Sequence, residues 1–581
     1  MKFITLNIEG FAKNSELIAD EIRYFSVMNQ PFRIEVDCTF NGKDRIQPDS
    51  IIGRKVSIKI QDSNELRYLN GILYNVKQSN SFSSNNSPSV KELELFIGPE
   101  LTLLGDVENS RVFPKGNVID YIKDVTKDYN IDIKEPGRPD FAEREFCIQY
   151  RERDLDFIDR LMESEGIFYY FKQNEKGHQL VLGSTVTDYS ADEPVQFGDK
   201  QDQVYYTSFS KEDSLLIGYN SLNDYDYNAP RKTLKSEHIK SKSSVIYQNS
   251  SVSSYSYPYP VRSYTDSENN TIDTGEKYSS IQLDSKQTNN EKIHLHAKGM
   301  WWGLDTGSRF TVQGENSEFI VTSYTLTIND QNGSHDENSV TLKISAINAN
   351  DVYRPLMSTP VPDIPVQTAT VVGMSDGTVY NKTDNGDDKK IMVKVKFYWD
   401  IEHSNTSNEC SCWMRSGQAW AGNQRGFIFT PRVGDEVVVA FESGHPDMPI
   451  IIGGVHNGKN KLPYSLAEKK NISAIVSRTV PDGQESSSML FKDDKGQEEM
   501  DFYTVGGQNT LVKKNINMKI NGVMNIEATE INLHATDKNG NSSFINITPE
   551  IITILSKMIN ENSGGAPVPV ELGELESKNG D

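Results

Sequence analysis

Between residues 515 and 535 the side chains alternate between small apolar and short polar groups. Ile516, Met518, Ile520, Met524, Ile526 and Ala528 hold one parity, and Asn517, Lys519, Asn521, Asn525 and Glu527 hold the other. A period of two places the apolar set on one face of an extended strand. The phase slips near Gly522 and Val523 and again at Glu530, after which the inward set continues as Ile531 and Leu533. A bulge or a turn between strands produces such slips. No hydrophobic segment lies nearby to cover that face, and a narrow ribbon with a single apolar face is marginal in water. The pattern predicts an oligomer in which identical ribbons cover one another.

The rest of the chain reads as mainly β and multidomain. Residues 1–100 carry short alternating runs, at 32–40 and 56–60 among others, punctuated by Gly42, Gly53 and Gly71, the texture of a first β-barrel. In 101–202 the period changes. Asn117 is an N-cap candidate ahead of Val118, Ile119, Ile122 and Val125 at helical spacing, with Asp120 in the first turn. A second helix is expected from Arg153 to Glu165, with Leu155, Ile158, Leu161 and Met162 inward and Gly166 as its stop. This is a small α/β insert. Strands return in 203–354 as a second barrel, interrupted by a Ser/Tyr/Asn-rich surface excursion at 241–290. Pro355, Pro360, Pro362 and Pro365 mark a linker at 355–367. Compact strands at 368–457, a connector at 458–487, a β-rod at 488–560 and a Gly/Pro/Glu-rich tail at 561–581, expected to be disordered, complete the division.

Composition narrows the function classes. A chain of 581 residues exceeds one hydrophobic core, and roughly three to five domains are expected. The 82 acidic against 60 basic residues give a net charge of −22, which leaves no basic face for nucleic acid. Cys38, Cys147, Cys410 and Cys412 are too few and too uneven for a disulfide framework, so a reducing compartment of origin is expected. Glu9 interrupts the N-terminal apolar run where a signal peptide needs continuity, and no run approaches the ~20 apolar residues of a membrane span. Export, if it occurs, is expected by another route.

Within 371–457 stand KVKFYWD at 394–400, SCWMR at 411–415, QAWAG at 418–422, PRVGDEV at 431–437 and GHPDMP at 444–449. Trp399, Trp413 and Trp420 offer large anchors for the core of a small barrel of OB-like size, with Gly434 and Gly444 at hairpin turns. The acidic loop at 384–388 argues against a nucleic-acid groove there. These motifs, in this order, resemble those of VgrG proteins, the spikes of type VI secretion, which are related to the hub and spike proteins of contractile phage tails. CIQYRERDLDF at 147–157, MESEGIFYY at 162–170 and FKDDKGQEE at 491–499 extend the resemblance over nearly the whole chain.

The resemblance implies a homotrimer. Two base barrels per chain would form a pseudo-sixfold platform on a six-membered tube, the OB-like barrel would be a collar, and the C-terminal segment a trimeric β-prism with Ile516, Met518, Ile520, Met524, Ile526, Ala528, Ile531 and Leu533 inside. It further implies an Hcp-like tube protein beneath the base, surrounding baseplate components, a PAAR-type protein at the tip and an effector loaded through 563–581. Such a protein is cytoplasmic until ejected, pierces a target membrane and carries its cargo. A secretion system, a phage tail and a released injection particle all fit.

No enzyme and no cofactor are expected. The sequence lacks a Gly-x-Ser-x-Gly elbow, a His-Glu-x-x-His helix and a phosphate loop. His294 and His296 share a strand face, as metal ligands do, but no partner cluster lies at ligand spacing, so a structural pair is expected. Cys410 and Cys412 with His403 read as buried thiols rather than a metal site. Glu163 and Glu165 resemble a glycosidase pair only in spacing and are read as the solvated face of a helix. The competing functions are a trimeric sugar-binding adhesin, using Trp301, Trp302 and the tyrosines at 255–259, and a metalloenzyme at His294 and His296.

Overall fold

The strand Leu17–Val27 buries Leu17 and Ala19, then Ile22 and Tyr24, and a bulge between Ala19 and Glu21 restores the inward phase. It pairs antiparallel with Arg33–Phe40 on one side and with Glu318–Asn329 on the other. In this computed structural model the described residues are 4–556 apart from 42–45, 62–65, 83–87, 138–140, 199–203, 226–234, 240–245, 248–253, 258–263, 266–270, 273–274, 291, 300–302, 331–339, 374–390, 405–406, 408, 468–469 and 481–482. The chain divides into two units, Met1–Leu462 and Pro463–Asp581.

In the first unit a twelve-stranded sheet runs in the order Ile4–Ile8, Lys55–Gln61, Leu66–Phe82, Pro88–Gly98, Arg33–Phe40, Leu17–Val27, Glu318–Asn329, Val340–Asn348, Lys292–Gly299, Val204–Glu212, with Val195–Phe197 and Arg309–Val312 to one side. The segments expected as two barrels are thus joined in one sheet. Ile22 faces Ile328 and Tyr24 faces Leu326 across the seam, so both strands bury their apolar parity in the same core.

Arg67 and Asp305 tie the segments together a second time. Arg67 donates to the Leu304 carbonyl at 3.0 Å and the Tyr324 hydroxyl at 3.1 Å and pairs with Asp305 at 3.3 Å, while Tyr24 donates to Asp305 at 3.1 Å. Burial pushes the Asp305 carboxyl up to about 6, against the pull of Arg67, the Thr306 amide and Tyr24. Its value in the unfolded chain is about 4, so the folded state takes up a proton first and gains stability as pH falls from about 7 to 4. Wild type should gain about 2 kcal/mol relative to Asp305→Asn over that interval, measured by urea unfolding at each pH.

The insert packs two helices on this core. Asn117 caps Val118–Thr126 by accepting from the Ile119 and Asp120 amides, and the Asp120 side chain returns to the Asn117 amide at 2.9 Å, a capping box. Asp154–Glu165 ends on Gly166 at φ 69°, the left-handed position where glycine costs least. Phe157, Ile158, Leu161 and Met162 are buried.

The excursion at 241–290 needs correction, because Gly275–Asn290 is a helix with Tyr278, Ile281 and Leu283 buried. Its inward face is completed by Ser279, Ser285 and Thr288, which hydrophobic periodicity does not register. Hydroxyls satisfy that face: Ser285 donates to the Pro355 carbonyl at 2.5 Å and Thr288 to the Arg354 carbonyl at 3.3 Å.

The collar sheet runs Val395–Phe397, Gln367–Val371, Glu436–Phe441, Pro449–Val455, beside the pair Met392–Val393 and Met414–Arg415. Its core of Val395, Phe397, Met414, Val437 and Val439 is continuous with Val112, Phe146 and Ile148 of the insert.

The second unit holds two meanders, Ile472–Arg478 with Ser486–Lys492 and Glu499–Tyr503, and Ile531–Thr536 with Ser542–Ile547 and Ile552–Leu555. Among the described residues no helix is long and apolar enough to cross a membrane.

Candidate assembly interface

Between the two meanders of the second unit, residues 504–530 form no strand within the chain. Ile516, Met518, Ile520, Met524 and Ile526 are between 49% and 63% exposed, and Ala528 and Leu533 are exposed as well. Ile531 is half-buried, on the strand Ile531–Thr536. An extended backbone without a ladder leaves its N–H and C=O groups to solvent, and an apolar row beside them adds a hydrophobic cost.

A buried ion cluster joins insert and collar. Arg144 donates to Glu165 at 3.3 Å and to Asp447, of the GHPDMP motif, at 3.5 Å. Tyr278 donates to Glu165 at 2.9 Å and Lys277 pairs with it at 3.4 Å. The Glu165 and Asp447 side chains are 1% and 5% exposed, so neither charge is shared with water. The neighbouring carboxylates hold the Arg144 guanidinium strongly protonated despite burial. Two residues earlier on the same helix, Glu163 accepts from Ser358 Oγ at 3.1 Å and from the Thr359 amide and hydroxyl at 3.0 Å, which fixes the proline-rich linker on the helix.

This corrects the reading of Glu163 and Glu165 as a solvated face. The partners of both lie in distant segments, so helical periodicity alone assigned them to solvent. No local signal marked Arg144, and Asp447 was visible only as part of its motif.

The tryptophans separate. Trp399 packs on the collar core, stacked on Phe397 with centroids 4.9 Å apart, while Trp413 is half-buried under the Lys394 ammonium at 5.1 Å. Trp420, expected inside, is 55% exposed, because its hairpin leaves the barrel.

His294 sits between Glu212 at 3.2 Å and Ser345 at 3.3 Å, and His296 is exposed beside it. Cys410 donates to the Val395 and Ser407 carbonyls, burial pushes its thiol up to about 11, and Cys412 lies in the collar core. His403 bonds Asp400 at 3.0 Å. Among the described residues no three His, Cys, Asp or Glu side chains are grouped to hold a metal ion. Tyr255 and Tyr257 are exposed, whereas Trp301, Trp302, the loop at 384–388 and the tail at 561–581 lie outside the described residues.

Sheet, insert and collar barrel are the parts of the chain that the family comparisons cover. Residues 27–332 match the phage tail baseplate hub (GPD) family, and residues 375–456 match the type VI secretion system/phage-baseplate injector OB domain. The chain belongs to the phage tail baseplate hub family.

Its curated relatives are VgrG proteins, so the resemblance read from the collar motifs is borne out. It is 30% identical over 482 residues to the type VI secretion system spike protein VgrG1c of Pseudomonas aeruginosa, covering 78% of this chain and 62% of that one. For VgrG1b of the same organism the identity is 28%, covering 81% of this chain and 63% of the relative. The chain thus spans less than two thirds of the length of these relatives. Among solved structures, the E. coli c3393 protein, a type VI secretion component with structural similarity to the T4 tail proteins gp27 and gp5, aligns with a TM-score of 0.53 at 17% identity over 78% of this chain and 99% of its own. That likeness concerns the fold.

Proposed function

We propose that this chain is the spike of a contractile injection apparatus and acts as a homotrimer. The observation that carries the reading is the stretch 504–530, which forms no strand within the chain and leaves its apolar residues in solvent. Three such stretches wound together bury Ile516, Met518, Ile520, Met524, Ile526, Ala528, Ile531 and Leu533 as the axis of a β-prism, each large side chain contributing roughly 1.5–3 kcal/mol. The family membership and the VgrG relatives support the same assignment.

In this reading the segments 1–100 and 203–354 with the insert 101–202 form the base that caps the inner tube. The linker 355–367 and barrel 368–457 are the collar, and the connector 458–487 leads to the rod at 488–560. An Hcp-like tube protein stacks beneath, baseplate components surround the base, and a PAAR-type protein sits on the far end, with an effector carried by the tail 563–581. The protein pierces the target membrane after ejection, needs no export signal, binds no nucleic acid and uses no cofactor or catalytic residue. One relative, from Vibrio cholerae, is named as the actin cross-linking toxin VgrG1. Here the buried carboxylates Glu163 and Glu165 are consumed in structural bonds.

Solution mass tests the reading. Light scattering should give three times 65.4 kDa, unchanged on dilution. A mass of one chain across the concentration range sinks the trimer.

A further inference from the structure

The hairpin around Trp420 is an arm that the barrel does not use. Every residue from 419 to 430 is exposed, among them Trp420, Phe427, Phe429 and, at 79%, Ile428. So many large apolar groups on one protruding hairpin far exceed the scattered surface hydrophobics of an ordinary domain.

The arm is nevertheless preformed. Phe427 donates its amide to the Trp420 carbonyl at 2.9 Å, and the Gln418 side chain both accepts from the Phe429 amide at 2.8 Å and donates to its carbonyl at 3.2 Å. Gly426, at φ 138°, leaves no room for a Cβ against the Trp420 carbonyl. Trp420 meets Phe427 edge-on at 6.2 Å and Phe427 stacks on Phe429 at 5.6 Å, a continuous aromatic ridge. A shape fixed before contact loses little entropy on docking.

The same domain also exposes Tyr398 and, at 89%, Ile401, both outside the arm's own segment. Charge agrees with the pairing. Arg425 is the arm's one charged residue in a chain of net charge −22, and exposed Glu402 adjoins Ile401. A ridge that docks on a different surface of a second copy makes a heterologous contact, which closes only as a ring of copies.

We propose that residues 417–431 clasp the collar barrel of a neighbouring copy, with the ridge of Trp420, Phe427 and Phe429 on its surface around Tyr398 and Ile401. The inference rests on the homotrimer reading and adds a second, independent interchain contact in the collar. Trp420 then acts as an anchor between copies.

The test places the photo-cross-linker p-benzoylphenylalanine at Phe429, and separately at Ile428, in the full chain. Irradiation of the assembly at its three-copy mass should yield covalent dimers and trimers on a denaturing gel, with the acceptor peptide mapping to 391–455 of another chain. Should Phe429→p-benzoylphenylalanine fail to assemble, the Ile428 variant supplies the result, since that side chain extends furthest into solvent. A three-copy mass with cross-links confined to the arm's own chain, or with none, overturns the clasp and leaves the trimer standing. A one-copy mass for wild type overturns both.

Discussion

Replacing Ile520 and Ile526 together by aspartate is expected to reduce the solution mass from three chains to one. In the proposed prism both side chains point to the axis, so the double substitution would bring six carboxylates into a space without water or counter-charge. Each unpaired buried charge costs several kcal/mol, and the lost apolar burial adds to that. The control is Asn521→Asp with Asn525→Asp, which carries the same added charge on the opposite parity and should leave the mass at three chains. Both isoleucines are exposed in the single chain, so the first unit should melt as wild type in every variant. An unchanged mass for the isoleucine variant would put the wrong face inside.

The second large effect is expected at Arg144. Arg144→Met keeps most of the side-chain volume and strands Glu165 and Asp447, both buried, without their shared cation. Removing one partner of a buried ion pair costs about 3–5 kcal/mol. The loss should appear as a lower urea midpoint for the first unit. Glu165→Gln with Asp447→Asn on the Arg144→Met background should recover much of it, because the stranded charges are gone while Tyr278 keeps a hydrogen-bond acceptor. If Arg144→Met unfolds at the wild-type midpoint, the cluster does not hold insert and collar together.

Legibility in the sequence followed the range of the interactions. Asn117 and Gly166 were readable as helix ends because a cap acts within a few residues. The strand face expected in 515–535 rests on parity alone, and within the chain only the part of that stretch in Ile531–Thr536 is a strand. The pairing of Leu17–Val27 with Glu318–Asn329 was not readable, since nothing local in Ile22 specifies Ile328 as its neighbour. Glu165 failed for the same reason: its burial depends on Arg144 and Tyr278 from other segments. Gly275–Asn290 failed because it buries serines and a threonine through hydroxyl bonds to the chain around Arg354 and Pro355. Trp420 shows the opposite error, since size alone suggests a core anchor while the hairpin that carries it leaves the barrel.

The period-two face of the rod also constrains how its length can vary over evolutionary time. An insertion of one residue in 515–528 would turn every later isoleucine and methionine to the outside, whereas a whole strand-and-turn unit would preserve the face. The slip at Glu530 is the place where an odd count can be absorbed. Spikes of this construction are therefore expected to differ in reach by discrete steps, set by the repeat rather than by residue number.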